Sequence, residues 1–87
     1  MQNNKKIYVG NLPWSVRDEQ LRELFSPFGE ITDAVVITFR DTGKSKGFGF
    51  VEFAKEESAL KAIEEMDQKE VEERNIIVKM ARPPKEE

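Results

Sequence analysis

Lys46-Gly47-Phe48-Gly49-Phe50-Val51-Glu52-Phe53 is the stretch whose reading decides the fold. Side chains alternate faces along a strand. If Val51 and Phe53 point into a core, then Lys46, Phe48, Phe50 and Glu52 share the opposite face, and the charged ends of that row mark it as wet. Two phenylalanines are therefore expected in water. A small domain rarely leaves adjacent large aromatics exposed without a partner, and a partner suited to flat rings on a sheet is an unstacked nucleobase. Gly47 and Gly49 have the inward parity of Val51 and Phe53. Without side chains there, an element behind the sheet can approach closely.

The octamer reads basic, Gly, aromatic, small, Phe, Val, any, aromatic, a pattern that at uniform composition arises at roughly one position in 10^8. On these residues the chain resembles the RNA recognition motif family, whose second signature is a hexamer upstream. Ile7-Tyr8-Val9-Gly10-Asn11-Leu12 fits it, and the resemblance runs from about Lys6 to Arg82.

Composition bounds the remaining possibilities. Eighty-seven residues with 38% apolar content can bury one modest core. There is no Cys, hence no disulfide framework, thiolate zinc site or thiol nucleophile, and no His, the commonest general base and metal ligand. No enzyme activity, cofactor or metal is expected. The start, Met1-Gln2-Asn3-Asn4-Lys5-Lys6, is polar and falls far short of a signal peptide, and no run reaches membrane-spanning length. A soluble, monomeric, intracellular protein follows as the expectation, cytoplasmic with nuclear and organellar sites left open.

The net charge of −3 argues against a nucleic-acid ligand when taken whole. It is, however, segmental. Residues 1–14 carry Lys5 and Lys6; residues 40–53 carry Arg40, Lys44 and Lys46 against Asp41 and Glu52; residues 75–87 carry Lys79, Arg82 and Lys85 against Glu86 and Glu87. The acid sits in residues 15–39, with two arginines against five carboxylates, and in residues 54–74, with four cations against eight. If the basic segments lie on one sheet and the acidic ones behind it, the molecule is a dipole with a weakly positive face.

Along the chain, Lys6 to Asn11 reads as a strand with Ile7 and Val9 inward, and Lys6, Tyr8 and Gly10 outward. Ser15 is the expected N-cap of a helix ending near Phe25, with Asp18 three residues on as a capping-box variant. Leu21, Leu24, Phe25 and Phe28 form its buried stripe, Pro27 and Gly29 end it, and Trp14 is expected to pack. Ile31 to Phe39 is a β-branched strand with Ile31 and Val36 inward and Val35 and Ile37 toward the wet face. Asp41-Thr42-Gly43 turns the chain into the octamer. Residues 54–66 regain helical periodicity through Ala59, Ala62, Ile63 and Met66, with the glutamates on the solvated side. Residues 67–74 read as a charged connection. Asn75 to Ala81 is the last strand, with Ile76 and Val78 inward and Ile77 and Lys79 outward, before Pro83-Pro84.

The order β, α, β, β, α, β implies an α+β, ferredoxin-like two-layer sandwich: a four-stranded antiparallel sheet with both helices on one face. The resemblance implies strand order 4-1-3-2, which would cluster Tyr8, Phe48 and Phe50. It further implies that Tyr8 and Phe50 each stack on a base, that Phe48 lies against the sugars, and that Lys46 meets a phosphate. Main-chain groups near Ala81 and Arg82 are expected at base edges, and Arg40 and Lys44 among the loop contacts. Lys6, Lys79 and Arg82 complete the cationic set, and Ile37 the apolar one. The implied partner is single-stranded RNA, with single-stranded DNA tolerated. The domain is expected over residues 6–82, between a disordered start at residues 1–5 and a flexible tail at 83–87.

Two other classes compete with this reading. One is a protein-interaction module on the same fold; the other is a small enzyme, which the missing His and Cys leave with little chemistry. Thr42-Gly43-Lys44-Ser45 imitates the end of a phosphate-binding loop, but the first glycine that loop needs would fall at Thr38 and a strand follows. Gly47-x-Gly49 has Glu52 where a dinucleotide fingerprint needs its third glycine. Glu64-Glu65 and Glu72-Glu73 are adjacent, so they do not converge on a helix face. Three departures from the family pattern stand out: Phe39 where many members have Asp, Asp67-Gln68 where Asn-Gly is common, and Glu73 where Gly is frequent. Phe39 either extends the aromatic platform or tucks against its loop. The other two imply a locally different turn.

Overall fold

Runs of period two become strands and runs of period 3.6 become helices. The computed structural model describes residues 5–81. The chain runs β1 (Lys6–Gly10), α1 (Asp18–Phe25), a 3-10 turn (Ser26–Phe28), β2 (Ile31–Thr38), β3 (Ser45–Phe53), α2 (Glu56–Met66), β4 (Glu70–Val71), β5 (Arg74–Asn75) and β6 (Ile77–Met80). The main sheet is antiparallel in the order β2-β3-β1-β6, so the expected 4-1-3-2 order holds with β6 as its fourth strand.

One core joins the inward side chains of the strands to the helices. Ile7, Val9, Val36, Val51, Phe53 and Val78 pack against Leu21 and Phe25 of α1 and Ala59, Ala62 and Met66 of α2. Both helices therefore cover one face of the sheet, and the other face is left open. Ile31 and Val36 have opposite parity, yet both turn toward this core. A bulge reconciles them: Ile31 pairs with Phe53 and Asp33 with Glu52, leaving Thr32 as the extra residue. Gly49 is where α1 comes close, since a Cβ there would meet the Val35 carbonyl oxygen and lie 3.2 Å from Leu21 Cδ2. Gly47 is glycine for another reason. Its φ of 89° is left-handed, and a Cβ there would find only Leu12 O at 3.9 Å.

The first helix starts later than the sequence implies. Arg17 occupies the N-cap, and its N–H donates to Gln20 Oε1 at 2.9 Å. Ser15 instead donates its hydroxyl to Glu72 Oε1 at 2.8 Å, across to the β4–β5 hairpin. Trp14 does not pack: it is 74% exposed, because Leu12, Pro13 and Val16 already close that end of the core.

The expected connection over residues 67–74 is partly a hairpin, β4 with β5. Its two central residues, Glu72 and Glu73, have φ of 49° and 71°. Left-handed conformation at both positions is the type I′ pattern that matches strand twist. Gln68 also lies at a φ of 68°. Gln68 and Glu73, standing where the family favours glycine, thus hold the glycine conformation with ordinary side chains. Glu73→Gly is expected to stabilise the protein by up to about 1 kcal/mol, read as a raised urea midpoint at unchanged slope. The hairpin also shortens the last strand. The Ile76 N–H donates to Lys69 O at 3.0 Å and its carbonyl accepts from Gln68 N–H at 2.8 Å, so Ile76 pairs with that connection while its side chain stays buried.

Each edge strand is tied down by an aspartate. The Val36 N–H of β2 donates to Asp18 Oδ1 at 2.8 Å, and the Val78 N–H of β6 donates to Asp67 Oδ1 at 2.9 Å. Carboxylates on otherwise orphaned edge N–H groups satisfy the backbone and obstruct strand addition. Asp67→Ala is expected to cost about 1–2 kcal/mol in chemical denaturation, with Asp67→Asn recovering most of it because the amide oxygen still accepts.

Candidate nucleic-acid interface

Three rings stand together on the open face of the sheet. Tyr8 of β1 lies opposite Phe50 of β3 in the register, and Phe48 is the neighbouring outward residue of β3. Ring centroids are 5.8 Å apart for Tyr8 and Phe48, 5.9 Å for Tyr8 and Phe50, and 6.2 Å for Phe48 and Phe50. Tyr8 and Phe48 are tilted by 35°, and Phe50 meets the other two edge-on at 63° and 89°. These are favourable aromatic spacings, so the cluster holds its shape without a ligand. Gly10 helps to set it: a Cβ there would come within 2.6–2.9 Å of the Tyr8 ring and hydroxyl, so the ring lies over the glycine.

The row through Tyr8 crosses all four strands. Lys79 of β6 pairs with Tyr8, Tyr8 with Phe50, and Phe50 with Val35 of β2. A cation, two rings and an aliphatic side chain thus follow one another along the hydrogen-bonding direction, about 4.8 Å apart per strand. Lys6 lies opposite Glu52, and its ammonium sits 5.2 Å from the Phe50 centroid. Ile37 and Ile77 are half-buried, and Ile77 pairs with Gly10 at the same surface.

The other expected site residues are more dispersed. Arg40 and Lys44 are exposed in the β2–β3 loop beyond the rings. Lys46 is exposed too, with its ammonium 5.2 Å from the Phe39 centroid. Phe39 is half exposed and does not tuck away. The Ala81 N–H is committed to Lys6 O at 3.0 Å, and Arg82 lies outside the described residues. Val35 was legible as a wet-face residue, but only the register puts it beside Phe50. Among the described residues no cluster of three or more His, Cys, Asp or Glu could hold a metal ion, and no helix is long and apolar enough to cross a membrane.

The sequence model of the RNA recognition motif matches residues 7–77. The chain belongs to the RNA recognition motif family. Among its relatives is the glycine-rich RNA-binding protein 4, mitochondrial, of Arabidopsis thaliana, 50% identical over 78 residues that span 90% of this chain and 57% of that protein. The chain spans about half the length of the curated relatives it matches. Among solved structures, the crystal structure of RNA-binding protein PG1 superposes with a TM-score of 0.88 at 49% identity, covering 94% of this chain and 99% of that one. An SXL-lethal protein/RNA complex superposes with a TM-score of 0.90 at 31% identity, over 95% of this chain and 50% of that one. This RNA recognition motif therefore carries both signature stretches of its family on adjacent central strands, with the aromatic positions turned away from the helices.

Proposed function

We propose that this chain binds short single-stranded RNA on the open face of its sheet and serves RNA handling after transcription, without catalysis. The observation that carries the reading is the half-buried three-ring cluster on the open face of β1 and β3, built from the family's own aromatic positions. One base stacks on Tyr8 and a second on Phe50, Phe48 lies against the sugars between them, and Lys79, Lys6, Lys46 and Arg82 meet phosphates. Arg40, Lys44 and Ile37 supply flanking contacts. Residues 6–82 form the binding unit. Stacking contributes roughly 1–3 kcal/mol per base, so two or three bases with a few phosphate contacts give affinity on the order of micromolar. The relatives' names support the ligand class, and the mitochondrial one supports an organelle beside the cytoplasm as its compartment.

Titration with a fluorescent random-sequence octanucleotide RNA pool tests this. Saturable micromolar binding that is lost in a Tyr8→Ala/Phe50→Ala double variant is the expected result. Undiminished binding by that variant, or no binding by the wild type, returns the fold to its alternative use as a protein-interaction module.

A further inference from the structure

The ring of Phe39 lies outside the three-ring cluster, and its surroundings have the composition of a binding subsite. It is 50% exposed. Its backbone is fixed, since the Phe39 N–H donates to Lys44 O and the Gly43 N–H donates to Phe39 O, both at 2.8 Å. The loop that carries it is tethered in turn, with the Arg17 guanidinium donating to Gly43 O at 3.0 Å. A shallow hollow lined by Phe39, Arg40, Asp41, Thr42 and Lys44 opens beside the ring. Lys46, two residues before Phe48, reaches over the ring from 5.2 Å, which joins Phe39 to the end of the aromatic row. Arg40, Lys44 and Lys46 outnumber Asp41 there, so the field favours a polyanion.

Leu60 on α2 gives the contrast. It is equally exposed at 50%, but it is aliphatic and its hollow mixes Lys5 and Lys55 with Glu56 and Glu57. It offers neither a π-face nor a net positive field.

We propose that Phe39 is a further base-stacking site, which lengthens the strand of RNA this domain holds beyond the platform of Tyr8, Phe48 and Phe50 to more than four nucleotides. The inference rests on the RNA-binding reading above. In the unliganded protein the Lys46 ammonium covers the ring by a cation–π contact. An arriving base takes the ring face, and the displaced ammonium meets the phosphate on the platform side of that base. Position 39 then sets site size, which the shared signature stretches do not encode.

The test compares randomised tetranucleotide and octanucleotide RNA pools by fluorescence anisotropy, with octanucleotides free to extend from either end of the platform. Phe39→Leu keeps apolar bulk and loses the flat ring; Phe39→Trp keeps it. Wild-type protein is expected to bind the octanucleotides more tightly than the tetranucleotides. Phe39→Leu should lose about 5- to 150-fold in octanucleotide affinity and less than about twofold on the tetranucleotides, with Phe39→Trp restoring the wild-type difference. Equal losses on both pools, no loss on the octanucleotides, or failure of Trp to restore binding overturns the site while leaving the platform reading intact. A wild-type protein that binds neither pool overturns the RNA-binding reading and this inference together.

Discussion

Phe53→Ala is expected to lower the stability of the protein by about 3–5 kcal/mol, whereas Phe50→Ala, three positions away, should cost about 1 kcal/mol or less. The two residues belong to one strand and are chemically identical, so the difference isolates the face each occupies. Phe53 is fully buried in the core with Ile7, Val51, Phe25 and Met66. Its truncation removes the transfer free energy of a ring and leaves a cavity that close-packed neighbours fill only in part. Phe50 is half-buried, and beside it stand the Tyr8 and Phe48 rings, each at an edge-to-face angle, and the Lys6 ammonium. Losing it forfeits weak ring contacts and opens no internal void. For a domain of this size each kcal/mol moves the melting temperature by about 4–8 °C, so calorimetry should show Phe53→Ala melting at least about 12 °C below wild type. A large drop for Phe50→Ala with a small one for Phe53→Ala would reverse the strand parity and take the candidate interface with it.

Parity was legible because period-two alternation needs only the sequence and one anchored residue, and the charged ends of the Lys46–Glu52 row supplied the anchor. The same logic placed Ile7, Val9, Val36, Val51, Val78 and the helical stripe of Leu21 and Phe25, all buried. What alternation could not supply was anything decided between elements. Ser15 has the side chain of an N-cap, yet its hydroxyl finds Glu72, 57 residues away, and the helix begins at Asp18. Asp18 has the spacing of a capping box, and its carboxylate is used by the Val36 N–H. Trp14 has the bulk of a core residue, and smaller neighbours had already filled the space. The charges of residues 67–74 hid a hairpin, because Gln68, Glu72 and Glu73 adopt left-handed backbone that sequence usually announces with Gly or Asn. At Phe39 the sequence left two alternatives open; the ring is 50% exposed, with the Lys46 ammonium 5.2 Å from its centroid.

A Tyr8→Ala/Phe50→Ala double variant is expected to lose about 2–4 kcal/mol of RNA affinity, roughly 30- to 900-fold, while the salt dependence of what remains is unchanged. The loss is less than twice the largest single-ring value because the rings stand 5.9 Å apart and share one bound strand, so their truncations are not independent. Salt separates the rings from the cations. Lys79 pairs with Tyr8 in the sheet, Lys6 lies by Phe50, and Lys46 lies at the Phe39 end. With Arg82 these can neutralise roughly two to four phosphates, and a single strand gives a slope of about −0.7 per phosphate, so the logarithm of the association constant should fall with log salt at about −1.5 to −3. Lys46→Ala should flatten that slope by about 0.7 and weaken all sequences alike. Removing Tyr8 and Phe50 leaves the cations in place and should leave the slope alone, because stacking releases no counterions. The double variant should then bind more weakly than the wild type by the same factor at low and at high salt. A wild-type slope steeper than about −5 would mean that lysines and arginines coat the strand without help from the rings, and the three-ring cluster would no longer be the site.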